Sequence, residues 1–201
     1  MGLLDGRVAI VTGAGRGLGR VEALELARHG AAVVVNDLGT TLVGTGHDAS
    51  PAEDVVAEVT AMGGRAVAHF GDVADWEQSG DLVRTAVDEF GSLDIVVNNA
   101  GFIRDSMLQK MEESDFDDVV RVHLKGHFCT IRHTLAHWRE RWKAGGGVVV
   151  WAGLTHCHLA PTAPASCRLT CMWCIPQPSS PLPYARISCF TRSTTGGCAQ
   201  S

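Results

Sequence analysis

Short apolar runs rich in β-branched residues alternate with helical segments along the first 150 residues of the chain. The runs are RVAIVTG, AAVVVND, RAVAHF, LDIVVNNAG and VVVWA, and the segments between them carry apolar residues at helical spacing. Runs this short and this continuously apolar are typical of strands buried on both faces. Because strand and helix alternate throughout, the sequence predicts an α/β fold with a doubly wound parallel sheet.

Punctuating residues indicate where the helices begin and end. Gly30 and Gly91 follow the first and third helical segments and are expected to stop them. Ser50 precedes Pro51 and is expected to be the N-cap of the second helix. Ser114 is expected to cap a long fourth helix that ends before AGGG.

The alternation stops after Trp151. Residues 151–201 hold six of the seven prolines, six of the seven cysteines, three arginines, and no lysine, aspartate or glutamate. Residues 1–150 hold 14 Lys and Arg against 22 Asp and Glu. The closely spaced prolines prevent a long helix. We therefore divide the chain into one folded domain, residues 1–150, and an irregular Cys/Pro-rich tail, residues 151–201, that is not a domain.

Composition also limits the function classes. The acid excess of residues 1–150 argues against nucleic-acid binding. The sequence has neither a signal-peptide pattern nor an apolar run long enough to span a bilayer, so we expect a soluble cytoplasmic protein with no membrane partner. Cys129 is isolated in the first part, which fits a reducing compartment.

The glycine-rich stretch TGAGRGLG, residues 12–19, lies between the first strand and the first helix. Glycine lets the backbone turn tightly and approach a pyrophosphate, and the helix N-terminus attracts an anion. This context predicts a dinucleotide site. Asp37 ends the second strand, where a carboxylate can accept hydrogen bonds from both adenosine ribose hydroxyls and repel the 2′-phosphate of NADP, which favours NAD. The alternative is that Asp37 only caps the following turn.

With these motifs the sequence resembles the short-chain dehydrogenase/reductase family. Gly13, Gly17 and Gly19 have the spacing of that family's glycine motif, Asp72 and Val73 match its adenine-binding pair, and NNAG (98–101) matches the motif after its fourth strand. The stretches NDLG, GFIRD and VHLKGHF are similar to the (3R)-hydroxyacyl-CoA dehydrogenase domain of peroxisomal-type multifunctional enzymes and their bacterial relatives.

The resemblance implies a Rossmann fold that is incomplete on its C-terminal side. It also implies hydride transfer between NAD and a small-molecule substrate, a 3-hydroxyacyl or 3-oxoacyl thioester or a related alcohol or ketone. The cofactor-binding residues that it implies are Gly13, Arg16, Gly17, Leu18, Gly19, Asp37, Asp72, Val73, Asn99, Ala100 and Gly101. The catalytic candidate that it implies is His123, which stands where the family has a proton-relay asparagine; the alternative is a helix residue with no catalytic role.

Three other catalytic groups of the family have no counterpart. The serine-rich turn after the fifth strand is replaced by WAGLTHC, where Thr155 is the nearest hydroxyl. The only tyrosine, Tyr184, is followed four residues later by Ser188, and no lysine lies beyond Lys143. A phenol with an unperturbed pKa of about 10 needs a neighbouring cation to act as a base near neutral pH. We therefore expect this chain to be catalytically inactive, and the alternative function is a non-catalytic NAD-binding module.

The cysteines of the tail allow three interpretations. Cys167, Cys171 and Cys174 have the spacing of the iron–sulfur ligands of radical S-adenosylmethionine enzymes. A zinc site is also chemically possible, with ligands from His156, Cys157, His158, Cys171 and Cys174. The third interpretation is a truncated or shifted reading frame, which replaces acids and lysines by Cys, Pro, Trp, Arg and Ser where a dehydrogenase motif is due. We favour the third and expect no metal site.

The same loss affects assembly. In the resembled family the fourth helix and the active-site helix together form a four-helix subunit interface. The active-site helix would fall in residues 151–201, which lack its motif. The homo-oligomer typical of the family is therefore doubtful for this chain.

Overall fold

The computed structural model describes residues 2–40, 48–145, 151–154, 172–174 and 187–189. Its main sheet has five parallel strands in the order β3-β2-β1-β4-β5. The strands are β1 (Val8–Thr12), β2 (Ala32–Asn36), β3 (Arg65–His69), β4 (Ile95–Asn98) and β5 (Trp151–Leu154). The predicted doubly wound α/β fold is confirmed for this part of the chain.

Helices connect the strands on both faces of the sheet. They are α1 (Gly17–Arg28), α2 (Ser50–Ala61), α3 (Trp76–Phe90), α4 (Glu113–Val120) and α5 (His127–Lys143), with a short 3₁₀ turn at Leu108–Lys110. Gly91 directly follows α3 and Gly30 follows the C-cap residue of α1, His29; their positive φ angles of 79° and 99° are as predicted for helix stops.

The two faces of the sheet bury two separate apolar layers. Val33 and Val35 of β2 face a layer completed by α1 and α2, whereas the intervening Val34 faces a layer that contains Leu82 of α3 and Trp138 of α5. All five positions of β1 and of β2 are buried, as the continuous apolar runs require. Each fully buried valine or leucine contributes about 1.5–3 kcal/mol relative to exposure.

The carboxylate of Asp94 joins the starts of β1 and β4 to α5. It is 2% exposed and accepts hydrogen bonds from the Val8 backbone N–H at 3.0 Å and from the guanidinium groups of Arg7 at 3.3 Å and Arg141 at 3.4 Å. The indole of Trp138 donates to the Leu93 carbonyl at 2.7 Å. These contacts fix the C-terminal part of α5 against the amino end of β4.

Three predicted element boundaries need correction. Ser50 is the first helical residue of α2 rather than its N-cap, and Asp48 accepts a hydrogen bond from its backbone N–H at 3.0 Å. Ser114 lies inside α4, where Glu112 is the N-cap and forms a capping box with Asp115. The fifth strand was predicted over VVVWA; residues 146–150 lie outside the described part, and β5 continues to Leu154.

The long fourth helix is also not uniform. A π-helical segment, Arg121–Gly126, separates α4 from α5. π-Helical turns inside α-helices are rare overall, but those that occur are often found at functional sites. The sequence did not predict it.

The described part of residues 151–201 contains β5, which pairs with β4 in the main sheet, and two further strands, β6 (Met172–Cys174) and β7 (Ile187–Cys189), which pair antiparallel. No helix among the described residues is long and apolar enough to cross a membrane. The division at residue 150 stays a prediction.

Candidate functional site

The candidate site lies at the carboxyl ends of the strands. The strand order reverses between β1 and β4, because the chain builds outward from β1 to β2 and β3 and then returns to add β4. Such a reversal opens a crevice in which α/β proteins bind ligands. Asp37 follows β2, and the other predicted cofactor residues are in three segments at this edge: the glycine-rich turn (12–19), the β3 loop (70–75) and the β4 loop (98–102).

The glycine-rich turn needs glycine for its backbone conformation. Gly13 and Gly17 have φ angles of 62° and 56°, in the left-handed region that favours glycine. Arg16 is the N-cap of α1 and places no side-chain acceptor on the first-turn N–H groups. Leu18, in that first turn, is 44% exposed. The N-terminus of α1 therefore keeps the positive end of its dipole available to an anion.

Close backbone contacts join this turn to the β4 loop. A Cβ on Gly19 would overlap the Asn99 amide and the Gly13 carbonyl, and a Cβ on Gly13 would lie 2.9 Å from the Ala100 Cα. The Asn99 side-chain amide donates to the carbonyls of Thr12 at 2.9 Å and Gly13 at 3.0 Å. Glycine is thus required at positions 13 and 19 by packing between two predicted site loops.

The hydroxyl of Thr12 completes this junction. It accepts the backbone N–H groups of Asn99 and Ala100, each at 3.0 Å, and lies 3.4 Å from the Val97 carbonyl. Thr12 is 1% exposed, so both N–H groups depend on it in a buried setting. The sequence motif includes Thr12, but the motif alone does not indicate this role. Its position directly before the first glycine was the available signal.

The carboxylate of Asp37 lies next to the glycine-rich turn and is held by two backbone N–H groups. One oxygen accepts the Gly15 N–H at 2.8 Å and the other accepts the Gly39 N–H at 2.7 Å. A Cβ on Gly15 would lie 2.8 Å from Asp37 Oδ2. The contact with Asp37 therefore requires glycine at position 15, which the family's three-glycine spacing did not indicate. The guanidinium of Arg16 reaches from the same turn to the Thr40 carbonyl at 3.2 Å.

The β3 loop holds Asp72 and Val73 together with the π-helical segment. Asp72 accepts the Ala74 N–H at 2.8 Å on one oxygen and the Arg121 guanidinium at 2.6 Å on the other. Val73 is 6% exposed, and a Cβ on Gly126 would lie 2.8 Å from its Cγ2. Arg121 and Gly126 could not be predicted from the sequence, since both lie about 50 residues away from the loop along the chain.

Two buried side chains, those of Asn36 and His69, support the β3 loop through hydrogen bonds to Gly71. The Asn36 side-chain amide donates to the Gly71 carbonyl at 2.9 Å and lies 3.1 Å from His69 Nδ1, which also accepts the Gly71 N–H at 3.2 Å. His69 Nδ1 is thus an acceptor, and the ring proton lies on Nε2, 3.4 Å from an Asp81 oxygen. Burial lowers the pKa of His69, and the hydrogen bond and charge of Asp81 partly offset this.

His123 lies in the π-helical segment and contacts the β4 loop. Its Nε2 is 3.1 Å from the Phe102 backbone N and 2.8 Å from the Phe102 carbonyl oxygen. A Cβ on Gly101 would overlap the imidazole ring. The His127 ring lies behind it, with 6.4 Å between ring centroids. The structure thus places the predicted catalytic histidine at the predicted cofactor loop, fixed by backbone contacts.

The remaining catalytic positions and the tail cysteines fall elsewhere. Thr155 and Tyr184 lie outside the described residues. Among the described side chains, which do not include those of the tail cysteines, no group of three His, Cys, Asp or Glu could hold a metal ion. Cys129 is buried as a free thiol, and burial raises its pKa.

The described residues form a parallel α/β sheet in which a glycine-rich turn meets a helix N-terminus and a carboxylate follows β2. This arrangement is a Rossmann-like fold. The short chain dehydrogenase family model matches residues 7–158. The chain therefore belongs to the short-chain dehydrogenase family.

Individual relatives agree with this assignment. The chain is 46% identical over 154 residues to the hydroxyacyl-CoA dehydrogenase ChsB1 of Mycobacterium tuberculosis, covering 76% of this chain and 47% of that protein. It is 47% identical over 137 residues to the mouse (Mus musculus) peroxisomal multifunctional enzyme type 2, covering 68% and 18% respectively. A solved short chain dehydrogenase from Mycobacterium avium superposes with a TM-score of 0.67 at 54% identity, covering 73% of this chain and 51% of that chain.

The chain spans about half the length, or less, of these relatives. The family match, over residues 7–158, includes all three candidate-site segments.

Proposed function

We propose that the chain binds NAD, in preference to NADP, in the crevice formed by the glycine-rich turn, the β3 loop and the β4 loop. The observation that carries the proposal is the Asp37 carboxylate, which two backbone N–H groups hold at the carboxyl end of β2. A fixed carboxylate there can accept hydrogen bonds from a ribose diol, and its charge opposes a 2′-phosphate.

The residues present fit the dinucleotide. The pyrophosphate would meet the α1 N-terminus, where Gly13, Gly15 and Gly17 contribute no side chains to block the approach. Asp37 would hold the adenosine ribose, and Asp72 with Val73 would hold the adenine. Asn99, Ala100 and Gly101 would form the wall on the nicotinamide side, next to His123. Arg16 and Leu18 would lie along the pyrophosphate from the first turn of α1.

When bound, NAD supplies a hydride acceptor for an alcohol carbon. We propose a 3-hydroxyacyl or 3-oxoacyl thioester, or a related alcohol or ketone, as the substrate class of this branch of the family. Support comes from the relatives, which include a hydroxyacyl-CoA dehydrogenase, and from the VHLKGHF stretch that contains His123.

We further propose that the 201-residue chain binds the cofactor without turning over. Oxidation of an alcohol requires a base that removes the hydroxyl proton and a donor that fixes the oxygen. His123 could accept or relay a proton, but its Nε2 is held against the Phe102 backbone. The sequence contains no Tyr-x-x-x-Lys that could supply the base. The alternative function, a non-catalytic NAD-binding module, follows from the same residues.

The cofactor proposal is tested by titrating the purified chain with NADH and with NADPH and following nicotinamide fluorescence. NADH should bind more tightly, and Asp37→Ala should narrow the difference. Asp37→Asn is the sharper variant, because it removes the charge and keeps one acceptor oxygen. Asp54→Ala, an exposed acid of α2, is the control and should leave the ratio unchanged. Equal affinities of the unmutated chain for both cofactors would refute the NAD assignment.

The catalytic proposal is tested with 3-hydroxybutyryl-CoA and NAD, measuring NADH formation at 340 nm. We expect no turnover above background from protein that binds NADH in the titration. Robust oxidation by this chain would show that it contains a proton route other than tyrosine and lysine. The cytoplasmic location and the oligomeric state stay predictions.

A further inference from the structure

The carboxylate of Asp72 is fixed from two sides by different elements. Its Oδ1 accepts the Ala74 N–H of its own loop at 2.8 Å, and its Oδ2 accepts the Arg121 guanidinium at 2.6 Å from the π-helical segment. The Asp72 backbone N–H donates to the Gln78 side chain at 2.9 Å. The carboxyl group is thus restrained at both oxygens.

Two oxygens of a carboxylate offer about four acceptor positions. Ala74 and Arg121 use one on each oxygen, and the remaining positions can accept further N–H donors. The side chain of Asp72 is 20% exposed and that of Arg121 is 44% exposed, so the pair is partly open to solvent. An amino group of a ligand can reach the carboxylate there without breaking the ion pair.

The π-helical segment contacts both loops that flank the crevice. Arg121 and Gly126 meet Asp72 and Val73 of the β3 loop, and His123 meets the β4 loop. One six-residue segment therefore sets the orientation of the adenine-side carboxylate and of the candidate catalytic histidine.

We propose that Arg121 is a positioning residue for adenine recognition. It holds the Asp72 carboxylate in the rotamer in which its remaining acceptor positions meet the exocyclic amine of adenine. Arg121 itself does not touch the base. This inference rests on the proposed dinucleotide binding, and it adds a specificity determinant that lies outside the three loops of the site.

A half-exposed ion pair contributes modestly, so the expected effect is a change in selectivity rather than a loss of binding. We expect Arg121→Gln to lower the preference for an amine-bearing base about two- to fivefold, in line with exposed ion-pair energies. A purely structural role would instead weaken all dinucleotides alike.

The experiment compares NADH with nicotinamide hypoxanthine dinucleotide (reduced form), in which a carbonyl replaces the adenine amine. The measured quantity is the ratio of the two dissociation constants, determined by nicotinamide fluorescence on the full chain. Arg121→Gln should bring the ratio toward one, and Arg121→Lys should restore part of it. The double variant Arg121→Gln with Asp72→Asn should show no further change in this ratio beyond that of Asp72→Asn alone, because both changes act on one interaction.

Arg20→Gln is the matched control. Arg20 is 40% exposed and paired with Glu58, which is 42% exposed. Arg20→Gln therefore removes a similar ion pair that does not involve the β3 loop. Its ratio should equal that of the unmutated chain. Thermal unfolding of each variant identifies any that fails to fold, and Arg121→Lys then carries the test.

The possible failures are separable. If the unmutated chain binds neither dinucleotide, the proposed function is wrong. If it binds NADH but Arg121→Gln leaves the ratio unchanged, weakens both ligands equally or strengthens the preference for the amine, the role of Arg121 is wrong and the cofactor proposal stands.

Discussion

Replacing Thr12 by valine tests whether one hydroxyl holds the glycine-rich turn to the β4 loop. Valine has nearly the same shape, so the change removes the hydroxyl and creates no cavity. Two backbone N–H groups, of Asn99 and Ala100, lose their acceptor at 3.0 Å. Thr12 is 1% exposed, which limits replacement by water. The weaker contact to the Val97 carbonyl, at 3.4 Å, adds little.

The magnitude follows from the cost of leaving buried donors unpaired, about 1–3 kcal/mol for each. For two donors, structural relaxation and the higher strand propensity of valine offset part of the summed cost. We expect Thr12→Val to lower the free energy of unfolding by about 2–4 kcal/mol. Urea unfolding followed by circular dichroism at 222 nm measures it, and the midpoint should fall with little change in slope.

Thr134→Val is the matched control. Thr134 is also 1% exposed, and its hydroxyl has no hydrogen-bond partner among the described residues. Valine there removes a buried polar group that has no acceptor to lose, so stability should stay within about 0.5 kcal/mol or rise. A loss below about 0.5 kcal/mol for Thr12→Val, or equal losses in the two variants, would refute the argument.

Three further predictions concern charge, pH and metal. Asp94→Asn should destabilise the protein by about 1.5–3 kcal/mol in the same urea assay, because a buried carboxylate that accepts from two arginines loses its charge; a loss no larger than that of the exposed Asp54→Asn would contradict this. His69 has a lowered pKa, so the unfolded chain takes up its proton first, and stability should be complete above pH 6.5, fall as the pH drops below 6.5, and level off below the folded-state pKa. Asp81→Asn removes the group that raises the pKa of His69, so the loss of stability with falling pH should become steeper. If the variant and the unmutated chain have parallel profiles of stability against pH, His69 is not the source of that loss. The chain purified under reducing, anaerobic conditions should contain neither stoichiometric zinc nor iron by elemental analysis; metal that is lost on Cys171→Ser would overturn our interpretation of the tail.

Local signals in the sequence were sufficient for the sheet and for the helix ends that depend on glycine. The β-branched runs predicted β1 to β4, because a strand buried on both faces must be apolar at every position. Gly30 and Gly91 were predicted because a positive φ favours glycine over any residue with a Cβ. The Ser50 and Ser114 caps were wrong, since nearby acids at positions 48 and 112 supply the competing acceptors.

The site divides in the same way. The motif glycines and Asp37 could be read from the sequence, because their spacing is fixed by the strand–turn–helix connection. Gly15 needed the structure, since its requirement arises from the approach of Asp37, 22 residues later. Thr12 likewise acts on loops more than 80 residues away. Contacts of that range leave no periodic pattern along the chain.

The π-helical segment is the strongest case of this kind. A sequence such as RVHLKGHF fits an ordinary helix, and nothing in its local propensities favours a wider turn. The wider turn accompanies three tertiary contacts: Arg121 on Asp72, His123 on the Phe102 backbone, and Gly126 against Val73. Because these contacts involve the β3 loop and the β4 loop, the geometry of the helix and the geometry of the candidate site are specified together. A change in either loop should therefore move His123, even though the loop residues and the histidine belong to different elements of the fold.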